Sequence, residues 1–224
     1  MDDIKIVATF NICNEAAFIH EAIRSVLWCD KVIVVDGAYQ GYPMKNPLSP
    51  RSDDGTAEIV VEMKKHNSKI IYIQMSTFTY GYEKIDAYLN LINDGDYFIR
   101  MNGDEVFSGN SKRIKSIINK TNRLPLYQIQ VVPIEDPEGS YFCPKILRKS
   151  PGLKLTSKHV VLTNSFNPEY KLGLYPRGRV TPEQANIESI FLLHYSSKQP
   201  GEKKKAKEQW LKYYAEHQLK DNII

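Results

Sequence analysis

A strand–helix alternation repeated along the first half of the chain constrains its fold more than any other feature. Residues 4–10 form a short apolar run rich in β-branched side chains, as a buried strand requires. Ile19, Ala22, Ile23, Val26 and Leu27 then recur at helical spacing. Residues 31–36 form a second apolar strand that ends in Asp36. A helix with Ile59, Val60 and Met63 inward leads to a third strand at 69–74. A helix marked by Ile85, Tyr88, Leu89 and Ile92 leads to a fourth at 97–101. Such units predict a mainly parallel sheet with helices on both faces and right-handed crossovers. Ligands of such sheets bind at the carboxyl ends of the strands, where Asp36 and Asp104 both fall.

The second half reads differently. Residues 126–134, 141–148, 159–162 and 190–194 are strand-like, and helices are expected to be scarce until Glu202. From there Ala206, Trp210, Tyr213 and His217 form a stripe on a Lys-rich helix. Between Asp36 and the second helix lies a loop with Pro43, Pro47 and Pro50, too Pro-rich for a helix or an inner strand. Loops of this length are usually mobile or functional.

A hydrophobic content of 42% with 25% charged residues suits a chain that buries a real core. The net charge of +4 is too mild to call for nucleic acid, and suits an anionic ligand such as a nucleotide diphosphate. Cys13, Cys29 and Cys143 are sparse and unpaired in spacing, which predicts thiols in a reducing compartment. The start of the chain carries no leader pattern, and no apolar run approaches a membrane span. The expectation is a cytoplasmic protein, at most peripheral to a membrane.

Several oxygen-rich segments are candidates for chemistry. Asn102-Gly103-Asp104-Glu105 follows the fourth strand; its side chains could hold a hard divalent cation, and a plain polar turn would use the same residues. Asp36 could accept hydrogen bonds from a nucleobase or ribose, or be a solvated strand-end carboxylate. The segment 52–56 could be a helix cap or could turn its N–H groups to a phosphate. His194 closes an apolar strand, as a ligand to a metal or diphosphate or as a structural histidine; His159 is a weaker case. Lys203-Lys204-Lys205 reads as a solvated helix face, with attraction to an anionic acceptor or lipid as the alternative. Neither a phosphate-binding P-loop nor a Gly-x-Gly-x-x-Gly, Gly-x-Ser-x-Gly or Cys/His zinc pattern occurs.

The order of these segments resembles glycosyltransferase family 2 and its relatives, which have the GT-A fold. Thr9-Phe10-Asn11 with Asn14-Glu15 matches the family's opening strand and helix start. Val34-Val35-Asp36-Gly37 and Ser52-Asp53-Asp54-Gly55-Thr56 match the two parts of its Asp-Gly-Ser-Thr-Asp-Gly-Thr segment, split by the insertion 38–51. Asn102-Gly103-Asp104 falls on its Asp-x-Asp signature. Residues 145–149 with Lys158-His159, and residues 193–196, resemble later segments of lipopolysaccharide-type members. The resemblance is strongest over 4–107.

It implies one GT-A-like domain over 1–224. The sheet would be mixed and mainly parallel, flanked by helices, with a C-terminal Lys-rich helix. A nucleotide-binding half would span 1–107, and an acceptor-binding half with the C-terminal helix would span 108–224. Thr9, Asn11, Asp36, Asp54 and Asn102 would line the nucleotide site. Asp104, joined by His194, would ligate Mg²⁺ or Mn²⁺. Glu135 or Asp136 would deprotonate the acceptor. The implied reaction moves a sugar from a nucleoside-diphosphate donor to a glycan or lipid-linked acceptor, with inversion. A non-catalytic nucleotide-sugar-binding relative and a sugar nucleotidyltransferase are the rival readings. Asn102 in place of the first Asp favours the former; the latter lacks its Gly-rich basic loop at 11–15.

Overall fold

The computed structural model describes residues 4–79, 81–121, 126–151, 153–156, 161–164, 167–172, 184–195, 198 and 200–218. Its first half follows the alternation in the sequence: β1 (Ile6–Ile12), α1 (Ile19–Ser25), β2 (Lys31–Asp36), α2 (Thr56–His66), β3 (Ile70–Gln74), α3 (Gly81–Leu89) and β4 (Tyr97–Asn102). Next come β5 (Glu105–Gly109), α4 (Lys112–Lys120), β6 (Leu126–Pro133), β7 (Tyr141–Arg148), β8 (Lys154–Thr156), β9 (Val161–Asn164), β10 (Asn167–Leu172), β11 (Gln184–His194) and α5 (Gly201–Gln218).

Eight strands make one mixed sheet in the order β3-β2-β1-β4-β7-β6-β11-β5, and β8, β9 and β10 form a small antiparallel sheet. β1 runs parallel to both β2 and β4, β2 to β3 and β6 to β11; β7 and β5 run against their neighbours. The ends of β1, β2, β4 and β11 therefore point one way.

Side-chain alternation sorts the core onto the two faces. Ile6, Ala8, Phe10 and Ile12 of β1 pack with α1, α2 and α4, whereas Val7 packs with Ile33, Phe98 and Leu147 beneath Ile85, Tyr88 and Leu89 of α3. Helices thus cover both faces, as expected. Helix α4, ahead of the strand-rich stretch, is not foreseen by the sequence reading: Ile114 and Ile118 are fully buried on a short segment rich in Lys, where two apolar residues four apart suffice. The strand foreseen at 190–194 begins earlier, at Gln184, and the one foreseen at 159–162 is β9; His159 lies outside the described residues. Among the described residues no helix is long and apolar enough to cross a membrane.

Candidate active site

The site is framed by a clasp between two segments that the sequence singled out. Asn14, held at a φ of 54°, donates its N–H to the Ser52 hydroxyl (2.8 Å) and exchanges side-chain bonds with Asp53 (both 2.9 Å). The Glu15 N–H donates to Thr56 Oγ1 (2.7 Å) and the Ala16 N–H to Asp54 (3.1 Å). Asp54 also accepts from the Thr56 N–H (3.0 Å), so it serves the first turn of α2 from outside, while Gly55 takes the left-handed conformation at the cap, φ 98°. Asp36 is fully buried. It accepts from the Ser52 N–H and hydroxyl (3.2 and 2.6 Å) and from the Tyr72 hydroxyl (2.7 Å), which ties the end of the insertion to β2 and β3. Its carboxylate is spent inside the protein. A buried lysine, Lys84, donates to the Ile12 carbonyl (2.9 Å) beneath the Tyr39 ring, and burial brings its pKa down to about 8.

Asn11 and Asn102 are register partners at the ends of β1 and β4. Thr9, one pleat below Asn11, is buried and donates to the Ile99 carbonyl (3.1 Å). Glu105 fixes Asn102 by accepting from its N–H (2.9 Å) and its Nδ2 (3.2 Å), which leaves the amide oxygen as an outward acceptor. Both Glu105 oxygens also accept from Lys145 (2.7 and 2.8 Å), a buried pair whose charges cancel. Asp104 is 3% exposed, with Oδ2 3.4 Å from Nε2 of His194. Burial alone would raise its pKa; the hydrogen bond and charge of His194, with Lys207 and Lys203 beyond, outweigh burial and hold it below the usual value.

Helix α5 lies over these strand ends and corrects the reading of its lysines as a solvated face. Lys204 and Lys205 are exposed, but Lys203 is turned inward, its side chain 12% exposed, in an ion pair with Glu15 (2.5 Å). Ala206, Trp210 and Tyr213 continue that face, as their stripe foretold; the His217 side chain lies outside the described residues. Trp210 packs on Tyr39 and donates to the Gln40 carbonyl (3.1 Å). Lys203, Lys207 and Trp210 line a cavity of about 190 Å³ with Asn11, Asn102 and Asp104. The sequence reading leaves Lys203 on a solvated face and does not single out Lys207; each stands three residues before a member of the Ala206–Trp210 stripe, a spacing that puts both on its face.

Two consequences are measurable. A Cβ on Gly103 would overlap Cβ and Cγ of Glu15. Gly103→Ala is expected to cost about 1–3 kcal/mol by overpacking, and an unchanged urea midpoint would refute the contact. Burial pushes the Glu15 carboxyl up to about 7; the Lys203 pair opposes the shift and the Asp104 charge adds to it. Between its ordinary 4.5 and 7 the folded chain keeps a proton that the unfolded chain has released, so stability falls as pH rises through that window. Relative to Glu15→Gln, the wild type should lose up to about 3 kcal/mol between about pH 5 and pH 8; melting curves that stay parallel would contradict this.

Glu135 and Asp136 follow β6, whose Pro133 is the register partner of His194, so both leave the sheet at the same end as Asp104. Asp136 accepts from the Gly139 N–H (3.1 Å) and caps a short turn; Glu135 is exposed. The structure thus brings Asn11, Asn102, Asp104 and His194 together. It sets Thr9 beneath them, Asp36 and Asp54 in the framing clasp, and Glu135 and Asp136 at the rim. Among the described residues no group of three or more His, Cys, Asp or Glu converges as a metal site.

No known protein-family profile and no curated protein matches the sequence. Solved structures do match. The crystal structure of S. aureus TarS aligns with 87% of this chain and 37% of its own, at TM-score 0.58 and 13% identity. TarS 1–349 with UDP aligns over 58% of this chain and 36% of its own (TM-score 0.47, 17% identity), and with UDP-GlcNAc over 58% and 35% (0.45, 18%). The chain spans little more than a third of the length of these structures. The architecture is the GT-A fold expected from the sequence.

Proposed function

We propose that this chain is a glycosyltransferase that moves a sugar from a nucleoside-diphosphate donor to a glycan or lipid-linked acceptor, with inversion. One observation carries the reading: Asn11, Asn102, Asp104, Lys203 and Lys207 line one cavity at the carboxyl ends of a GT-A sheet. Ligands of open α/β sheets bind there. Lys203 is paired with Glu15, which also lines the cavity, so among the described residues the Lys207 ammonium is the cation left to meet a diphosphate. The first half supplies the nucleotide site: Asn11 and Asn102 line it, Thr9 lies beneath them, and Asp36 and Asp54 shape the clasp that frames it. The second half supplies the acceptor side.

Asp104, the outward oxygen of Asn102 and the imidazole of His194 fit Mg²⁺ or Mn²⁺ as a site that the diphosphate itself completes. A hard cation of this kind is commonly held by one or two carboxylates together with substrate phosphates. When bound, it would neutralise charge on the departing diphosphate. Lys207 would hold the same group from α5, beside the Lys203–Glu15 pair. Glu135 takes the proton of the acceptor hydroxyl as the acceptor oxygen bonds to the anomeric carbon and the bond to the diphosphate breaks. The exposed Lys204 and Lys205 suit peripheral contact with an anionic surface.

Calorimetry with UDP, with and without Mn²⁺, tests the reading, with UDP-GlcNAc as the first donor. Binding that tightens with Mn²⁺, followed by transfer or hydrolysis of a donor, is the expected result. Absence of UDP binding under both conditions would overturn it. Binding without turnover across a donor panel would favour the non-catalytic reading, for which Asn102 is the specific support.

A further inference from the structure

Asn11 and Asn102 also border a second cavity, of about 200 Å³, over the face of the sheet that α3 covers. On that face β1 presents Val7, Thr9 and Asn11, and β4 presents Phe98, Arg100 and Asn102, with Thr9 opposite Arg100 and Asn11 opposite Asn102. Leu147, Lys145 and Cys143 continue the rows on β7. Val7, Phe98 and Leu147 pack beneath α3; past Tyr88 the same rows turn polar. A sheet face beside a helix is ordinarily apolar, and buried polar groups without partners are costly, so a group in these polar rows that lacks a partner points to a ligand.

The partners of the cavity groups narrow its chemistry. Thr9 is satisfied by the Ile99 carbonyl, and Lys145 and Asn102 by Glu105. Arg100 lies beside the Tyr88 hydroxyl, and among the described residues no carboxylate lines the cavity to match its charge. Asn11 Oδ1 is buried with no hydrogen-bond partner among the described residues. The wall therefore offers an unmatched guanidinium, which suits a carboxylate or phosphate, and a waiting acceptor, which suits a hydroxyl. The volume equals about seven waters at ~30 Å³ each, room for one monosaccharide.

We propose that this second cavity binds a sugar bearing an anionic substituent, a carboxylate or a phosphate, with Arg100 as its specificity determinant. The proposal rests on the transferase reading for the position of that sugar beside the diphosphate. Two arms separate a donor sugar from an acceptor sugar. In the first, UDP-glucuronate and UDP-glucose are compared in calorimetry with Mn²⁺. In the second, glucuronate, glucose 6-phosphate and glucose are compared on the UDP-loaded protein by ligand-observed NMR. In one arm the anionic sugar should bind at least about tenfold more tightly than its neutral counterpart. Arg100→Gln should remove that preference, and Arg100→Lys, which keeps the charge without the planar fork, should retain part of it. UDP alone should bind wild type and variants within about twofold. Equal binding of acidic and neutral sugars in both arms, or a preference that survives in Arg100→Gln, overturns the proposal. If UDP does not bind the wild type, the transferase reading fails, and the free-sugar comparison on the nucleotide-free protein decides this one.

Discussion

Asp104→Asn is expected to lower turnover by roughly 10²–10³-fold, about 2.7–4 kcal/mol of transition-state stabilisation. The substitution keeps the size and hydrogen-bonding ability of a side chain that is only 3% exposed, and removes its charge. That charge is set between His194 on one side and Lys203 and Lys207 on the other, which hold the carboxyl ionised. Asn102 already lacks charge, so Asp104 is the only carboxylate that the 102–104 signature brings to the cavity. UDP affinity should therefore fall when Mn²⁺ is present and be nearly unchanged in EDTA. A folded Asp104→Asn protein with wild-type UDP affinity in Mn²⁺ would exclude Asp104 from metal binding. The lowered pKa carries a stability effect as well. The charged form of Asp104 stabilises the fold above the ordinary Asp range, and that contribution is lost as pH falls through the depressed folded value. A modest drop in melting temperature at neutral pH is thus expected, and binding should be compared well below it.

The elements that repeat in sequence are also those that the sequence places correctly. β1, β2, β3 and β4 are apolar runs between helices with one buried stripe each, and parallel pairing follows from that alternation. Asn14-Glu15 and the segment 52–56 were legible as separate motifs; that they bind each other, backbone to side chain, is a tertiary fact that neither stretch encodes alone. Helix α4 is two buried isoleucines long in its pattern, too short to stand out against its lysines. A run of three lysines has no face of its own, so the sequence alone leaves Lys203 facing solvent. Its inward turn is set by Trp210 and Tyr213 docking against Tyr39 and Gly41, whose φ of 76° brings the backbone under the Tyr213 ring. Glu105 stood behind the metal signature in sequence; in space it is the buried partner of Lys145 and the clamp on Asn102, a role set by a strand forty residues away. Arg100 gave no signal, since one cation inside an apolar strand is unremarkable until its neighbours on the same face are known.

Glu135→Gln is expected to lower turnover by roughly 10²–10⁴-fold and to leave UDP affinity unchanged. Glu135 lies just past the residue of β6 that pairs with His194, and Ile134 donates to the His194 carbonyl (3.2 Å), so its position relative to Asp104 is fixed by the sheet rather than by a free loop. It is exposed, as a group that meets an incoming acceptor must be. Asp136, its neighbour, already accepts from Gly139 in the turn, so Asp136→Ala should act mainly by loosening that turn and should cost less turnover than Glu135→Gln. A general base also leaves a signature in pH. The acidic limb of kcat against pH reports its protonation in the donor complex, and that limb should disappear in Glu135→Gln while the residual rate becomes flat. Full turnover in Glu135→Gln would remove it from the reaction, and a large loss in Asp136→Ala alone would transfer the role to Asp136. Since neither carboxylate lines the cavity that holds Asp104, unchanged UDP binding in both variants separates a lost base from a lost nucleotide site.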